Sequence, residues 1–127
     1  MSDRDALLNL SQSLLDNIVE GNWQAYAELC DESLTCFEPE ARGHVVEGLA
    51  FHQFYFDGGP STKRVNTTMA SPHVRLMGDS AIVCYTWLTQ VVDAGNAPVT
   101  KAVEETRVWQ KIEGHWKHVH FHRSLPS

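Results

Sequence analysis

The spacing of apolar residues changes partway along the chain, and that change predicts its architecture. Leu7, Leu8, Leu10, Leu14, Leu15, Ile18 and Val19 recur at helical spacing and predict one helix with a wide apolar stripe. Ser2-Asp3-Arg4-Asp5 in front of it reads as a capping box, with Ser2 accepting from the third helical N–H and Asp5 reaching back. Gly21 ends this helix and Asn22 caps a second, in which Trp23, Tyr26, Ala27 and Cys30 stand at i, i+3, i+4 and i+7. Leu34-Thr35-Cys36-Phe37 predicts a short strand that stops near Pro39. Glu47 to Phe56 is ambiguous by spacing alone, and its length and its Phe51, Phe54 and Tyr55 favour a third, aromatic helix. Asp57-Gly58-Gly59-Pro60-Ser61 is a loop.

Beyond that loop the pattern alternates. Four strands are predicted over Arg64–Met77, Ser80–Val92, Val99–Lys111 and His115–Ser124. Gly78-Asp79, Asp93-Ala94-Gly95-Asn96 and Glu113-Gly114 separate them, each a hairpin signal. Pro72 marks an edge or a bulge in the first of these strands. Helices followed by a long antiparallel meander define an α+β fold, with helices on one face of a strongly curved sheet.

Composition narrows the choice of partners. The chain has 127 residues, enough for a single domain over residues 1–127, with 43% hydrophobic and 20% charged residues. Its formal net charge is −6, and ten Lys and Arg are scattered along it, so a nucleic-acid partner is not expected. The three cysteines, Cys30, Cys36 and Cys84, form no CxxC and no disulfide framework. With no signal-peptide pattern at the start and no apolar run near the roughly 20 residues a bilayer requires, a cytoplasmic protein without a membrane partner is expected. No P-loop, dinucleotide motif, Ser-His-Asp or Cys-His arrangement stands out, and no cofactor is expected.

The candidate chemistry lies in the last two strands. A three-residue loop of Ile112-Glu113-Gly114 pairs Lys111 with His115, sets odd against odd, and puts Arg107 opposite Val119. One face then carries Val103, Glu105, Arg107, Trp109, Val119, Phe121 and Arg123. An unpaired guanidinium cannot be buried cheaply, so these charges are paired internally or grip a ligand. One Glu against two Arg leaves positive charge, which favours a pocket where arginine forks hold a carboxylate or similar anion. A two-residue loop would break this inference by splitting Arg107 and Arg123 between faces. His118, His120 and His122 alternate on the opposite face as a metal site requires. No fourth ligand stands at a recognisable spacing, so they read as a solvated or interface face of a terminal strand. His52, on the aromatic helix, reads as a core residue, a pocket wall or a general base. Glu38 and Glu40 flank Pro39 and read as loop charges rather than an acid–base pair.

Several blocks are too idiosyncratic to follow from fold alone. Cys36-Phe37-Glu38-Pro39-Glu40-Ala41, Val46-Glu47-Gly48, Phe51-His52-Gln53-Phe54-Tyr55-Phe56, Pro72-His73-Val74-Arg75-Leu76, Glu104-Glu105-Thr106-Arg107-Val108-Trp109 and Val119-His120-Phe121-His122-Arg123-Ser124 resemble, in the same order, the association or hub domain of calcium/calmodulin-dependent protein kinase II. The resemblance implies a cone-shaped fold of the nuclear transport factor 2-like and SnoaL-like type. It also implies self-assembly as a homo-oligomer, from a dimer up to a two-tiered ring of about six or seven dimers. It implies, further, a pocket in which Arg107, Arg123 and His52 match residues that bind small carboxylates. Two departures stand out: Trp87 replaces a third pocket arginine, and the loop from Phe56 to Ser61 is shorter and lacks a tryptophan. Both imply a less cationic, smaller pocket. The chain carries no kinase segment, so a stand-alone relative is expected.

The leading reading is therefore an assembly module with an anion-binding cleft lined by His52, Arg107, Arg123, Glu105, Tyr85 and Trp87. The alternative is a SnoaL or ketosteroid-isomerase-like enzyme that works on a small hydrophobic substrate through Glu105, His52 and Tyr85. It rests on fold analogy alone. A third is a subunit that caps another protein's hub.

Overall fold

A computed structural model describes residues 1–60, 65–92, 95 and 97–126. Ser61, Arg64, Asp93, Ala94 and Asn96, which belong to a predicted loop, strand start and hairpin, lie outside the described residues. The first helix, α1, spans Asp3–Glu20; Ser2 caps it by accepting from the Asp5 N–H, and Gly21 closes it with φ 68°. Glycine is required there twice over. Its backbone is left-handed, and a Cβ would lie 2.7 Å from the Pro60 nitrogen. The second helix, α2, spans Trp23–Leu29 and is capped by the Asn22 side chain.

The first strand, β1, runs Cys30–Phe37 and so starts four residues earlier than the apolar pattern predicts. Asp31-Glu32-Ser33 has poor strand propensity, and the Asp31 carboxylate takes both the N–H and the hydroxyl of Ser33 locally. Pairing of Cys30 with His118 nevertheless holds this stretch to the sheet. A 3-10 turn over Pro39–Ala41 leads to the short strand β2, Val46–Glu47. The third helix, α3, covers Ala50–Phe56 only, because Gly48, at φ 85°, turns the chain between β2 and the helix.

The long strands are β3 (Val65–Met77), β4 (Ser80–Val92), β5 (Pro98–Ile112) and β6 (His115–Ser124). The sheet order is β2-β1-β6-β5-β4-β3; β1 joins β6 in parallel and every other pair is antiparallel. Pro72 does sit on an edge strand at a register shift, beside Ser71 at φ 51°. Leu7, Leu14 and Leu15 of α1 and Tyr26 of α2 pack with Leu34, Val83, Tyr85, Trp109 and Phe121 of the sheet in one core. The expected α+β fold, with helices on a curved six-stranded sheet, is the one observed.

The β5–β6 turn departs from expectation. Ile112 pairs directly with His115, so the loop is the two residues Glu113-Gly114, with φ 52° and 82°. Both positive angles match the type I′ turn that follows strand twist. By itself this turn puts His118 opposite Trp109 and would split the two arginines. A bulge then intervenes: Trp109 pairs with His118 but Val108 pairs with His120, leaving Val119 as the extra residue. Arg107 therefore faces Phe121, not Val119, and Glu105 faces Arg123. The predicted common face of Arg107 and Arg123 survives because two departures cancel. The predicted common face of His118, His120 and His122 does not: His118 is turned into the core, while His122 is exposed.

Candidate functional site

Alternation on β4 and β5, and the bulge on β6, bring a set of polar side chains to the covered face of the sheet. At its centre lies Arg107, 1% exposed. Its Nε donates to the Tyr85 hydroxyl at 2.7 Å, its Nη2 to Glu105 Oε1 at 3.2 Å, and its Nη1 lies 3.3 Å from His118 Nε2. The Tyr85 hydroxyl in turn donates to Glu105 Oε1 at 2.6 Å. The Phe121 ring stacks on the guanidinium, 4.8 Å from its carbon. Burial opposes the cation, yet the Glu105 carboxylate and the neighbouring tyrosine oxygens hold the Arg107 pKa well above its ordinary value.

This network sets the His118 tautomer. A guanidinium only donates, so His118 Nε2 accepts, and the proton sits on Nδ1, which points at Cys30 Sγ 3.5 Å away. Burial first, and then the Arg107 charge, push the His118 pKa well below its usual value. Burial likewise drives the Cys30 thiol up to about 12.

A cavity of about 360 Å³ opens beside this network. Of the six residues predicted to form the site, His52, Glu105, Arg107 and Arg123 line it. Tyr85 stands behind the wall, holding Glu105 and Arg107 together. Trp87 lies on an adjoining groove with Val103 and Lys101, which shares Ile18 and Arg123 with the cavity.

Glu38 and Glu40, set aside as loop charges, are the residues that sequence reasoning missed. Arg123 Nη2 donates to Glu38 Oε2 at 3.2 Å and also to Glu40 Oε2, while its buried Nε has no partner among the described residues. Burial raises the Glu38 pKa, against the opposing pull of Arg123 and with support from Glu40. The cavity wall thus carries three carboxylates, Glu38, Glu40 and Glu105, against two guanidiniums, Arg107 and Arg123. The one-against-two count that gave a net positive pocket is overturned. Pro39 at the start of the 3-10 turn was the available signal, since it fixes Glu38 and Glu40 on a rigid corner.

His52, buried on α3, meets the Cys36 thiol and the Glu38 carboxylate, which stand two residues apart around the end of β1. Its Nε2 lies 3.7 Å from Cys36 Sγ, and its Nδ1 lies 3.6 Å from Glu38 Oε1. Burial, then Arg107 and Arg123, lower its pKa to about 4, so the imidazole is neutral at pH 7 and the Glu38 contact is not an ion pair. Cys36 is not a nucleophile in this arrangement: burial, reinforced by Glu38, pushes its thiol up to about 12, and it is fully buried.

The fold with its lined cavity defines the class first. A helix-covered, curved sheet of this order is that of nuclear transport factor 2-like proteins. Such a protein from Salmonella enterica superposes with a TM-score of 0.77 over 97% of this chain and 90% of that one, at 19% identity, a likeness of fold alone. The particular family follows from residues 3–127, which match the calcium/calmodulin dependent protein kinase II association domain; the chain belongs to that family. It is 53% identical to the CaMKII hub homology domain of Chlamydomonas reinhardtii, with a TM-score of 0.91, covering 99% of this chain and 100% of that one. The association domain of C. elegans CaMKII is 45% identical, also with a TM-score of 0.91, over 95% of this chain and 94% of that one. The delta subunit of calcium/calmodulin-dependent protein kinase type II from Oryctolagus cuniculus is 44% identical over 95% of this chain. The chain spans only about a quarter of the length of such curated relatives, 23% of this one.

Proposed function

We propose that this chain is a self-associating hub: a homo-oligomer built on dimers, with a ring of dimers as its full form. The observation that supports this most is end-to-end similarity to hub domains at 53%, 45% and 41% identity, with no large insertion or loss. The surface agrees. Phe54 is 73% exposed and Tyr55 51%, Leu76 and Met77 end an edge strand, and Leu125 is 69% exposed near the end of the chain. Apolar residues of this size are the usual material of subunit contacts. Absolute mass from light scattering on size-exclusion fractions, over a range of concentrations, tests the reading. A stable particle of many subunits supports it, and a monomer at all concentrations refutes it.

Within each subunit the cleft accepts a small carboxylate or similar anion through Arg123. Arg107 acts as a fixed wall, because its fork is already committed to Tyr85, Glu105 and His118. Among the described residues Arg123 Nε is buried without a partner, and one of the two carboxylates on its Nη2, Glu40, is partly exposed and displaceable. Arg123→Ala is expected to weaken binding of a small carboxylate by about 1–3 kcal/mol in calorimetry. Unchanged affinity sinks this part of the reading. The enzyme alternative loses ground, because the Glu105 oxygen it would use as a base already accepts from Tyr85 and Arg107. A net charge of −6 argues against nucleic acid, and among the described residues no helix is long and apolar enough to cross a membrane. Three free cysteines fit a reducing, cytoplasmic setting.

A further inference from the structure

We propose that Cys36, Glu38 and His52 form a binding site for one transition-metal dication of the zinc class, at the inner end of the cleft. The three ligand atoms lie within 4.8 Å of one another. In a tetrahedral zinc site, with Zn–S about 2.3 Å and Zn–N about 2.0 Å, sulfur and nitrogen stand roughly 3.5 Å apart. The Cys36 Sγ to His52 Nε2 separation is 3.7 Å, so these two donors already span a tetrahedral edge.

The scaffold holds the donors in place. Cys36 lies in β1 and Glu38 stands one residue beyond its end, still extended at φ −152° and ψ 159°, so the two side chains project to the same side. Cys36 is locked from both sides by pairing with Val46 of β2 and Phe121 of β6. His52 descends from α3 and packs edge-on against Phe51 and tilted on Phe121. Cys36 and His52 are buried, and the Glu38 side chain is 7% exposed.

Donor chemistry selects the ion. A thiolate and an imidazole favour zinc, cobalt or copper over magnesium and calcium, which take oxygen ligands. Charge balance permits burial: the Cys36 thiolate and Glu38 carboxylate together neutralise a dication. Around them the two cavity arginines are offset by Glu40 and Glu105. Binding is an exchange in which the metal forms a bond to Cys36 sulfur and the thiol proton leaves to solvent. Arg123 holds the other oxygen of Glu38 at 3.2 Å, the outer-shell position that orients a carboxylate ligand. Glu38 and His52 face the cavity, so the fourth position is open to water or to a ligand group, as in zinc sites with three protein ligands.

The test uses the full chain, reduced and freed of metal by chelator, titrated with cobalt(II) and then with zinc in competition. Expected is one cobalt per chain, with tetrahedral visible bands and a thiolate-to-cobalt charge-transfer band, all erased by zinc. Cys36→Ala should abolish the charge-transfer band, and Cys84→Ala should leave it intact. Glu38→Gln should weaken cobalt binding by at least about tenfold, the lower end of what even an outer-shell change costs. Absence of the bands overturns the proposal. So does a charge-transfer band that persists in Cys36→Ala and vanishes in Cys30→Ala, which would put the metal at the Cys30–His118 pair. Should Cys36→Ala lose its folded circular-dichroism signal, Glu38→Gln decides alone: unchanged cobalt affinity overturns the site, and the tenfold loss supports it.

Discussion

Replacing Arg107 by methionine separates a structural cation from a ligand clamp. The substitution keeps most of the stem but removes the guanidinium, which makes three polar contacts at 2.7, 3.2 and 3.3 Å and stacks on Phe121. What remains is the Glu105 carboxylate, its side chain 1% exposed, facing only the Tyr85 hydroxyl among these partners. Breaking a buried ion pair on one side costs roughly 3–5 kcal/mol. A loss of about 3–4 kcal/mol is expected. At a urea dependence of roughly 2 kcal/mol per molar, the unfolding midpoint falls by about 1.5–2 M. Tryptophan fluorescence reads it, since Trp109 is fully buried; protein concentration is held fixed because association stabilises the folded chain. The double variant Arg107→Met with Glu105→Leu removes both charges and should be more stable than Arg107→Met alone. A loss below about 1 kcal/mol for Arg107→Met, or a double variant that is worse than the single, would refute the buried-pair account. Arg107 would then be hydrated and free to grip a ligand.

Three further outcomes are expected. His118 is packed against Arg107 and Cys30, with His52 and His120 nearby, and its pKa is driven far below 6.5 by burial and then by Arg107. The unfolded chain therefore takes up a proton on this residue that the folded chain refuses, and stability drains away as pH falls below about 6.5, by at most about 1.4 kcal/mol per pH unit. His118→Gln keeps an acceptor for Arg107 and removes the titration, so its urea midpoint should decline less than the parent's between pH 7 and pH 5; parallel declines would contradict this. Gly21→Ala should cost at least about 1–2 kcal/mol in the same assay, from a left-handed backbone plus a Cβ 2.7 Å from Pro60, and a neutral result would mean the α1–α2 corner relaxes freely. Ser11 is fully buried in α1 and its hydroxyl has no partner among the described residues, so Ser11→Ala should stabilise the chain by about 1 kcal/mol; destabilisation would reveal a buried water on that oxygen.

Much of the fold was legible because periodicity reports burial directly. The stripe of Leu7, Leu14 and Leu15 faces the core as read, and β4 and β6 begin and end at the predicted residues. What escaped had no periodic signature. Asp31 to Ser33 carries no apolar alternation, since its side chains are polar and bond locally, yet pairing of Cys30 before it and Thr35 after it with β6 keeps it within β1. Glu38 and Arg123 meet across 85 positions of sequence, and nothing in Phe37-Glu38-Pro39-Glu40 announces the partner. Long-range pairs of this kind come from topology, here the parallel docking of β1 on β6.

The bulge at Val119 ties these threads together. In a bulge-free hairpin with the same two-residue turn, His118 would still oppose Trp109, but Arg123 would leave the face that Glu105 and Arg107 share. With it, β6 contributes to the covered face both before and after the slip: His118 to satisfy Arg107, then Phe121 to stack on it, then Arg123 to meet Glu38. Alternation alone cannot supply His118, Phe121 and Arg123 to one face, because the first spacing is three residues and the second is two. One extra residue thus builds two adjacent but unlike environments. The first is a closed network in which every charge of Glu105 and Arg107 is answered within the wall. The second is an open corner, where Arg123 Nε has no partner among the described residues and Arg123 shares Glu38 with Cys36 and His52. Under the proposed anion-binding role, a ligand would meet the open corner, with the closed network as the rigid floor beneath it.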